Sequence, residues 1–354
     1  MVTPSSRSPR ILVIRRDNIG DLICTTPLLR AIRARYPDGY LAVLVSSYNV
    51  DVLAGNPDVD DIFVFLKRQQ KSHGHGLLST LWQRWRLHRL LRRMKFNFIV
   101  LANGGWRYAK TLGGKKTIGF RERDNADNQQ PDVVVPLINS MALHEVEKLA
   151  ALGQAIDVPN STGPLKIYPD SEALSRQSNR LAKLGFDPAR PTIGFHISSR
   201  RPQQRWPEAA FIECIRKLSN GNPKQQFLLF WSPGDEHDPM HPGDDAKAAR
   251  IQAACADIPL FPCPTTQVKE LIAAMSLADK VVCSDGGALH VAAALNKPIV
   301  CFFGDSIAAE WHPWGVPYKL LQPASKKVAE IDVNEVLGAI NQLAEDATLS
   351  ANSL

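Results

Sequence analysis

The sequence predicts an α/β protein built from two doubly wound parallel sheets. Short, unbroken β-branched and aliphatic runs such as Ile11-Leu12-Val13-Ile14 have the length and composition of strands buried on both faces. These runs alternate with segments of helical periodicity, the pattern of a parallel sheet with crossover helices. A break rich in Pro, Gly, Ser and Asn at residues 157–170 separates two stretches that share this pattern.

In the first half, the opening strand runs into a loop, residues 15–21, that carries two arginines, two aspartates and a glycine. The helix after it is marked by Leu22, Ile23, Pro27, Leu28, Ala31 and Ile32, with Thr25 and Thr26 before Pro27 marking a second start within it. Strands are expected at 40–46, 61–65, 96–103 and 132–137, with a short helix at 48–56 and a longer one at 140–156. In the second half, strands are expected at 192–198, 226–231, 280–284 and 298–304, and helices at 207–219, 244–255, 267–279 and 287–296. A last helix at 331–347 is expected to pack back across both halves. The expected domains are 1–163 and 164–328, with 329–354 as a C-terminal helix and tail. Two Rossmann-like halves of similar size imply a central cleft faced by both sheets, with ligands outside the carboxyl ends of the strands.

Composition limits the function classes. At 44% hydrophobic and 22% charged residues the chain is globular, and no apolar run approaches the ~18 residues of a membrane span. The polar start, followed by a short apolar stretch, is not read as an export signal. Six cysteines form no CxxC pair and are expected to be reduced, which fits a cytoplasmic protein. The net charge of +7 suits an anionic partner.

Part of that charge lies in residues 81–95, where five arginines and a lysine share a helix with Trp82, Trp85, Leu87, Leu90, Leu91 and Met94. Two readings fit: peripheral contact with an anionic membrane or phosphorylated lipid, or a surface helix packing Trp and Leu on the sheet.

Three loops at strand carboxyl ends carry unusual chemistry. Residues 196–207 offer the hydroxyls of Ser198 and Ser199 and the guanidinium groups of Arg200, Arg201 and Arg205 before a helix start, which suits a pyrophosphate; a solvated basic loop is the alternative. After the strand at 280–284, Asp285 precedes Gly286 and Gly287, which permit close backbone approach, and His290 lies on the first turn of the next helix. Glu310, Trp311, His312 and Trp314 follow the strand at 298–304 and read as a packing corner, with closure over the ligand as the alternative.

"IRRDNIGDLICTTPLLRAI", "SSRRPQQRWP" and "CSDGGALHVAAALNKPIVCFFG" match, in order and spacing, glycosyltransferase family 9, whose best-known members are ADP-heptose:lipopolysaccharide heptosyltransferases. The resemblance spans residues 10 to 325. It implies a GT-B fold, an acceptor held by the N-terminal domain and a nucleotide-sugar donor, ADP-heptose first, held by the C-terminal one. It further implies that Asp21 is the catalytic base and that Ser198, Ser199, Arg205 and Trp206 belong to the donor-phosphate loop. Asp285, Gly286, Gly287 and His290 match its donor-binding pattern. The sequence departs from the family at Gln204, where a Lys is usual, so Arg205, or Arg200 and Arg201, must supply the charge.

An inverting transfer needs a base for the acceptor hydroxyl. Asp21 at a helix start fits that role, with helix capping as the alternative and Asp17 in reserve. Gly20 would give the acceptor sugar access, and Arg15 and Arg16 would hold acceptor phosphates or carboxylates. The expected acceptor is a lipopolysaccharide core or a lipid-linked glycan. No metal or other cofactor is expected. Asp58 and Asp60 lie at the amino edge of the sheet, and residues 234–245 read as a loop with Asp244 or Asp245 near the donor ribose. No GxGxxG follows either opening strand, which argues against an oxidoreductase, and no nucleic-acid reading motif is present. The runner-up function uses another nucleotide-activated sugar for a different envelope glycan.

Overall fold

The structure is a computed structural model and describes residues 8–66, 77–121, 130–136, 143–159, 162–238 and 242–352. The chain divides into two compact units, Met1–Gly163 and Pro164–Leu354.

The first unit runs β1 (Arg10–Ile14), α1 (Ile19–Arg35), β2 (Tyr40–Ser46), β3 (Asp61–Phe65), α2 (Leu77–Arg93), β4 (Phe98–Leu101), α3 (Trp106–Thr111), β5 (Lys116–Phe120), β6 (Val133–Val135) and α4 (Glu145–Gln154). Its six strands are all parallel, in the order β3-β2-β1-β4-β5-β6. β1 is central and buried on both faces, which explains its aliphatic run. Leu12, Ile14, Leu44, Ile99 and Leu101 form one core with Leu91 of α2 and Trp106 of α3.

The second unit runs α5 (Ser171–Lys183), β7 (Thr192–His196), α6 (Glu208–Gly221), β8 (Gln226–Trp231), α7 (Asp245–Ala254), β9 (Leu260–Pro264), α8 (Val268–Ser276), β10 (Lys280–Ser284), α9 (Gly287–Ala294), β11 (Ile299–Phe302), α10 (Ala308–Trp311), β12 (Tyr318–Leu321) and α11 (Val333–Asn352). Its order, β12-β11-β10-β7-β8-β9, is again parallel and repeats the first arrangement when read from β7 as the first strand. In both sheets the strand order therefore reverses beside the opening strand, between β1 and β4 and between β7 and β10. That switch point is where an open α/β sheet binds its ligand. α11 contributes Val336, Ile340 and Leu343 to the core beside Phe211 and Ile215 of α6.

One local expectation changes. α1 does not restart at Pro27: it runs unbroken through it. Proline lacks the N–H that would reach the Ile23 carbonyl, and the Thr26 hydroxyl donates to that oxygen instead at 2.7 Å. The 157–170 break ends at Asp170, whose side chain caps α5 by accepting from the Ala173 N–H. Residues 140–142 of the expected 140–156 helix, and 239–241 of the 234–245 loop, lie outside the described residues. All six cysteines are free and buried.

Candidate active site

In the first unit the β1–β4 switch point is occupied by Arg15. Its guanidinium is buried and donates to Asp17 at 3.0 Å, Asp21 at 2.7 Å, Glu145 at 2.8 Å and the Ala102 carbonyl that follows β4. Burial alone would lower its pKa, but Glu145, Asp17 and Asp21 outweigh that and raise it, so the cation is permanent. The expectation that Arg15 holds an acceptor anion gives way to a structural role: four of its five N–H groups meet protein acceptors. It is a clamp for three carboxylates.

Asp21 lies in the first turn of α1, and the cap position is taken by Asn18, whose side chain makes no capping bond. The Asp21 carboxylate is thus positioned by Arg15 and keeps partial exposure, at 15% of its side chain. Asp17 and Glu145 are pushed above the ordinary carboxylate values, first by burial, while the Arg15 cation opposes the rise. Gly20 is buried in the same turn.

Glu145 went unnoticed in the sequence because it sits 130 residues from Arg15. The local signal is the capping box at the start of α4, where the His144 ring accepts from the Val146 N–H and Glu147 accepts from the His144 N–H. That cap fixes Glu145 as the first helical residue.

Arg16 is separate from this clamp. Its guanidinium lies 4.8 Å from the Phe65 ring and 4.9 Å from the Tyr108 ring, and burial lowers its pKa. Arg16 Nε, Asn103 Oδ1 and the Tyr108 hydroxyl are buried without hydrogen-bond partners. Of these, Arg16 Nε and the Tyr108 hydroxyl can donate to an anionic ligand, whereas Asn103 Oδ1 can only accept.

In the second unit the loop after β7 carries Ser198, Ser199, Arg200, Arg201 and Arg205, of which Arg205 and Ser199 are in contact. The Ser198 oxygen accepts from the Ser232 N–H, so its own proton stays available for donation. Arg205 donates Nε to the Ser199 carbonyl at 2.8 Å and faces Asp244 at 3.4 Å. Asp244 is buried, with its second oxygen unpartnered. The neighbouring Asp245 carboxylate accepts from the Trp231 ring N–H and the Gly234 N–H, which makes it a structural brace. Arg200 is exposed, and Arg201 meets Asp305 across 3.6 Å at the surface.

Trp206 is corrected from the phosphate loop to the core: it is 1% exposed, donates to the Ile331 carbonyl and packs on Phe211 and Phe302. Lys247, which drew no notice in the sequence, is buried beneath this loop. It donates to the Ile197 and Trp206 carbonyls, and burial brings its pKa down to about 8.

Gln204 is also buried. Its amide accepts from the Gly304 N–H at 2.9 Å and donates to the Ser306 hydroxyl at 2.8 Å, which in turn donates to Asp285 at 2.5 Å. A neutral side chain therefore ties the phosphate loop to the loop after β11 and orients Asp285. Beyond Asp285, Gly286 has φ of 148°, with open space where a Cβ would point, and α9 begins at Gly287. That open space lies at the N-terminus of α9, beside the β7–β10 switch point. His290 on α9 is 3% exposed, with its ring edge-to-face against Trp311 at 5.9 Å. His312 packs against Trp314 and Tyr318, as a packing corner would.

Asp60, at the amino edge of the first sheet, is bonded to Arg33 and to the Leu41 N–H. Among the described residues no three His, Cys, Asp or Glu are grouped to hold a metal ion.

Two parallel sheets of 3-2-1-4-5-6 order in one chain give it the GT-B fold of the solved structures that it matches. The chain belongs to glycosyltransferase family 9 (heptosyltransferase), whose sequence profile matches residues 84–338. Lipopolysaccharide heptosyltransferase 2 of Salmonella typhimurium is 25% identical to it over 319 residues, which cover 84% of this chain and 83% of that one. Among solved structures, a family 9 glycosyl transferase from Veillonella parvula superposes with a TM-score of 0.79 at 18% identity, over 96% of this chain and 97% of that one. The E. coli heptosyltransferase WaaC, solved with ADP-2-deoxy-2-fluoro heptose, superposes with a TM-score of 0.71 at 17% identity, over 96% and 99%.

Proposed function

We propose that this chain transfers heptose from ADP-heptose to a lipopolysaccharide core acceptor, with inversion at the anomeric carbon. The observation that carries the proposal is the Arg15 clamp, which holds the Asp21 carboxylate, in the first turn of α1 and 15% exposed, at the switch point of the first sheet. The heptosyltransferase relative and the ADP-heptose analogue held by WaaC support the choice of donor.

Asp21 takes the proton of the acceptor hydroxyl as that oxygen bonds to the anomeric carbon. The bond from that carbon to the diphosphate breaks, and ADP leaves with the electron pair. Arg15 keeps the Asp21 carboxylate in place and is a positioning residue. Arg16 and Gly20 receive the acceptor. Ser198, Ser199, Arg200, Arg205 and the amides after Gly286 receive the diphosphate, where charge develops as the bond breaks. Asp285 and His290 complete the donor subsite.

The test is a donor panel. ADP-heptose, UDP-sugars and GDP-sugars are each supplied with heptose-deficient core acceptors, and nucleotide release and acceptor mass are read. The proposal expects ADP release coupled to addition of one heptose. Turnover with a UDP- or GDP-sugar, and none with ADP-heptose, would overturn it.

A further inference from the structure

α2 is well seated on one side only. Leu91 is buried in the core, Leu87 packs against it, Arg84 lies over the Phe65 ring at 4.7 Å, and the His88 ring bonds the Thr111 hydroxyl at 3.0 Å. On the other side Leu81, Trp82, Trp85 and Leu90 are 52%, 55%, 54% and 48% exposed. Four of the eight large hydrophobic side chains that stand exposed among the described residues thus fall on one helix. Soluble surfaces rarely gather apolar side chains in this way without a partner.

The charge around them is of one sign. Arg86, Arg89, Arg92, Arg93 and Lys95 are exposed, and residues 77–95 contain no Asp or Glu. Arg86 lies over the Trp82 ring at 4.6 Å and Arg89 over the Trp85 ring at 5.3 Å. Indole rings flanked by guanidinium groups match the headgroup layer of an anionic bilayer, where the rings lie between water and acyl chain and the cations meet phosphates. A second copy of the chain would bring two cationic faces together. For a nucleic acid, a guanidinium group already covers one face of each indole ring on which bases would stack.

We propose that the outer face of α2 is a docking surface for an anionic phospholipid bilayer, anchored by Trp82 and Trp85 and attracted by Arg86, Arg89, Arg92 and Arg93. Binding here needs no nucleotide sugar, so its test stands apart from the choice of donor.

The full chain is floated with vesicles of phosphatidylcholine alone or with one-third phosphatidylglycerol, at low and high salt. The wild type is expected to float with the anionic vesicles, and salt or neutral vesicles to release it. Trp82→Ser with Trp85→Ser lowers the partition coefficient at least tenfold. Arg86→Glu with Arg89→Glu lowers it by about twentyfold or more, at roughly fivefold per surface cation. Both pairs are exposed, so unchanged thermal melting shows that each variant is folded. Failure of the wild type to float, or equal flotation of wild type and both folded variants, overturns the proposal. So does a wild-type dimer that the Trp substitutions dissociate, or single-stranded nucleic-acid binding that these substitutions abolish while vesicle binding is absent.

Discussion

Replacing Arg15 by Met leaves Asp17, Asp21 and Glu145 facing one another without their cation. Arg15 is 2% exposed, whereas the three carboxylate side chains keep 27%, 15% and 12% of their surface. Removing one partner of a buried ion pair costs about 3–5 kcal/mol, and this residual solvent contact favours the lower end, about 3 kcal/mol. The cost depends on pH. Burial already raises the native pKa values of Asp17 and Glu145, and the variant loses the cation that holds them down, so both rise further. A carboxyl whose native pKa lies above its unfolded value keeps its stabilising proton below the unfolded value and loses that contribution as pH climbs through the native one. The penalty for Arg15→Met is therefore largest near neutral pH and shrinks as the pH falls toward the unfolded carboxylate values. Adding Glu145→Gln, which removes one of the stranded charges, recovers at least about 1 kcal/mol at neutral pH. Hydrogen exchange of the β1 and α1 amides in a urea series reads the local stability. A penalty below about 1 kcal/mol, or one that does not change with pH, would refute the clamp.

Lys247→Met removes a charge that burial disfavours, so relative to this variant the wild type gains roughly 3 kcal/mol as the pH rises from about 8 to 10.5; parallel urea midpoints that do not diverge over that range contradict the burial argument. Gly286→Ala places a side chain on backbone at φ of 148° and in the space left open before α9, so ADP affinity falls tenfold or more in calorimetry while the fold persists; unchanged affinity removes Gly286 from the donor subsite. Gln204→Lys restores the usual family residue yet strands the Gly304 N–H, which loses its acceptor, so the melting temperature drops by an amount corresponding to about 1–3 kcal/mol; a variant as stable as wild type would show the amide clamp to be dispensable.

The central strands were readable because burial on both faces demands aliphatic runs, as in β1, β2 and β8. Elements without such a run were not. β9 is Leu-Phe-Pro-Cys-Pro, whose prolines argue against a strand and are tolerated only because it lies at the sheet edge. β5 begins with a lysine and contains a glycine, β12 begins with an exposed tyrosine, and α3 and α5 are rich in polar residues. At the candidate site, Asp21, Gly286 and the Ser198–Arg205 loop were visible because they follow strand ends in sequence. The true partners of Arg15 and Gln204 were not, because Glu145 is 130 residues from Arg15, and Gly304 and Ser306 are 100 and 102 residues from Gln204. Only tertiary packing shows that both of these side chains are held by protein groups.

Asp21→Asn most directly tests the claim that Asp21 is the catalytic base, because it keeps the size of the side chain while removing the proton acceptor. Heptose transfer from ADP-heptose to a core acceptor is measured as kcat, and donor binding as Kd by calorimetry, on wild type and variant. The account predicts that kcat falls by roughly a hundredfold or more while the donor Kd stays within about twofold. A variant that turns over within a few-fold of wild type would contradict it.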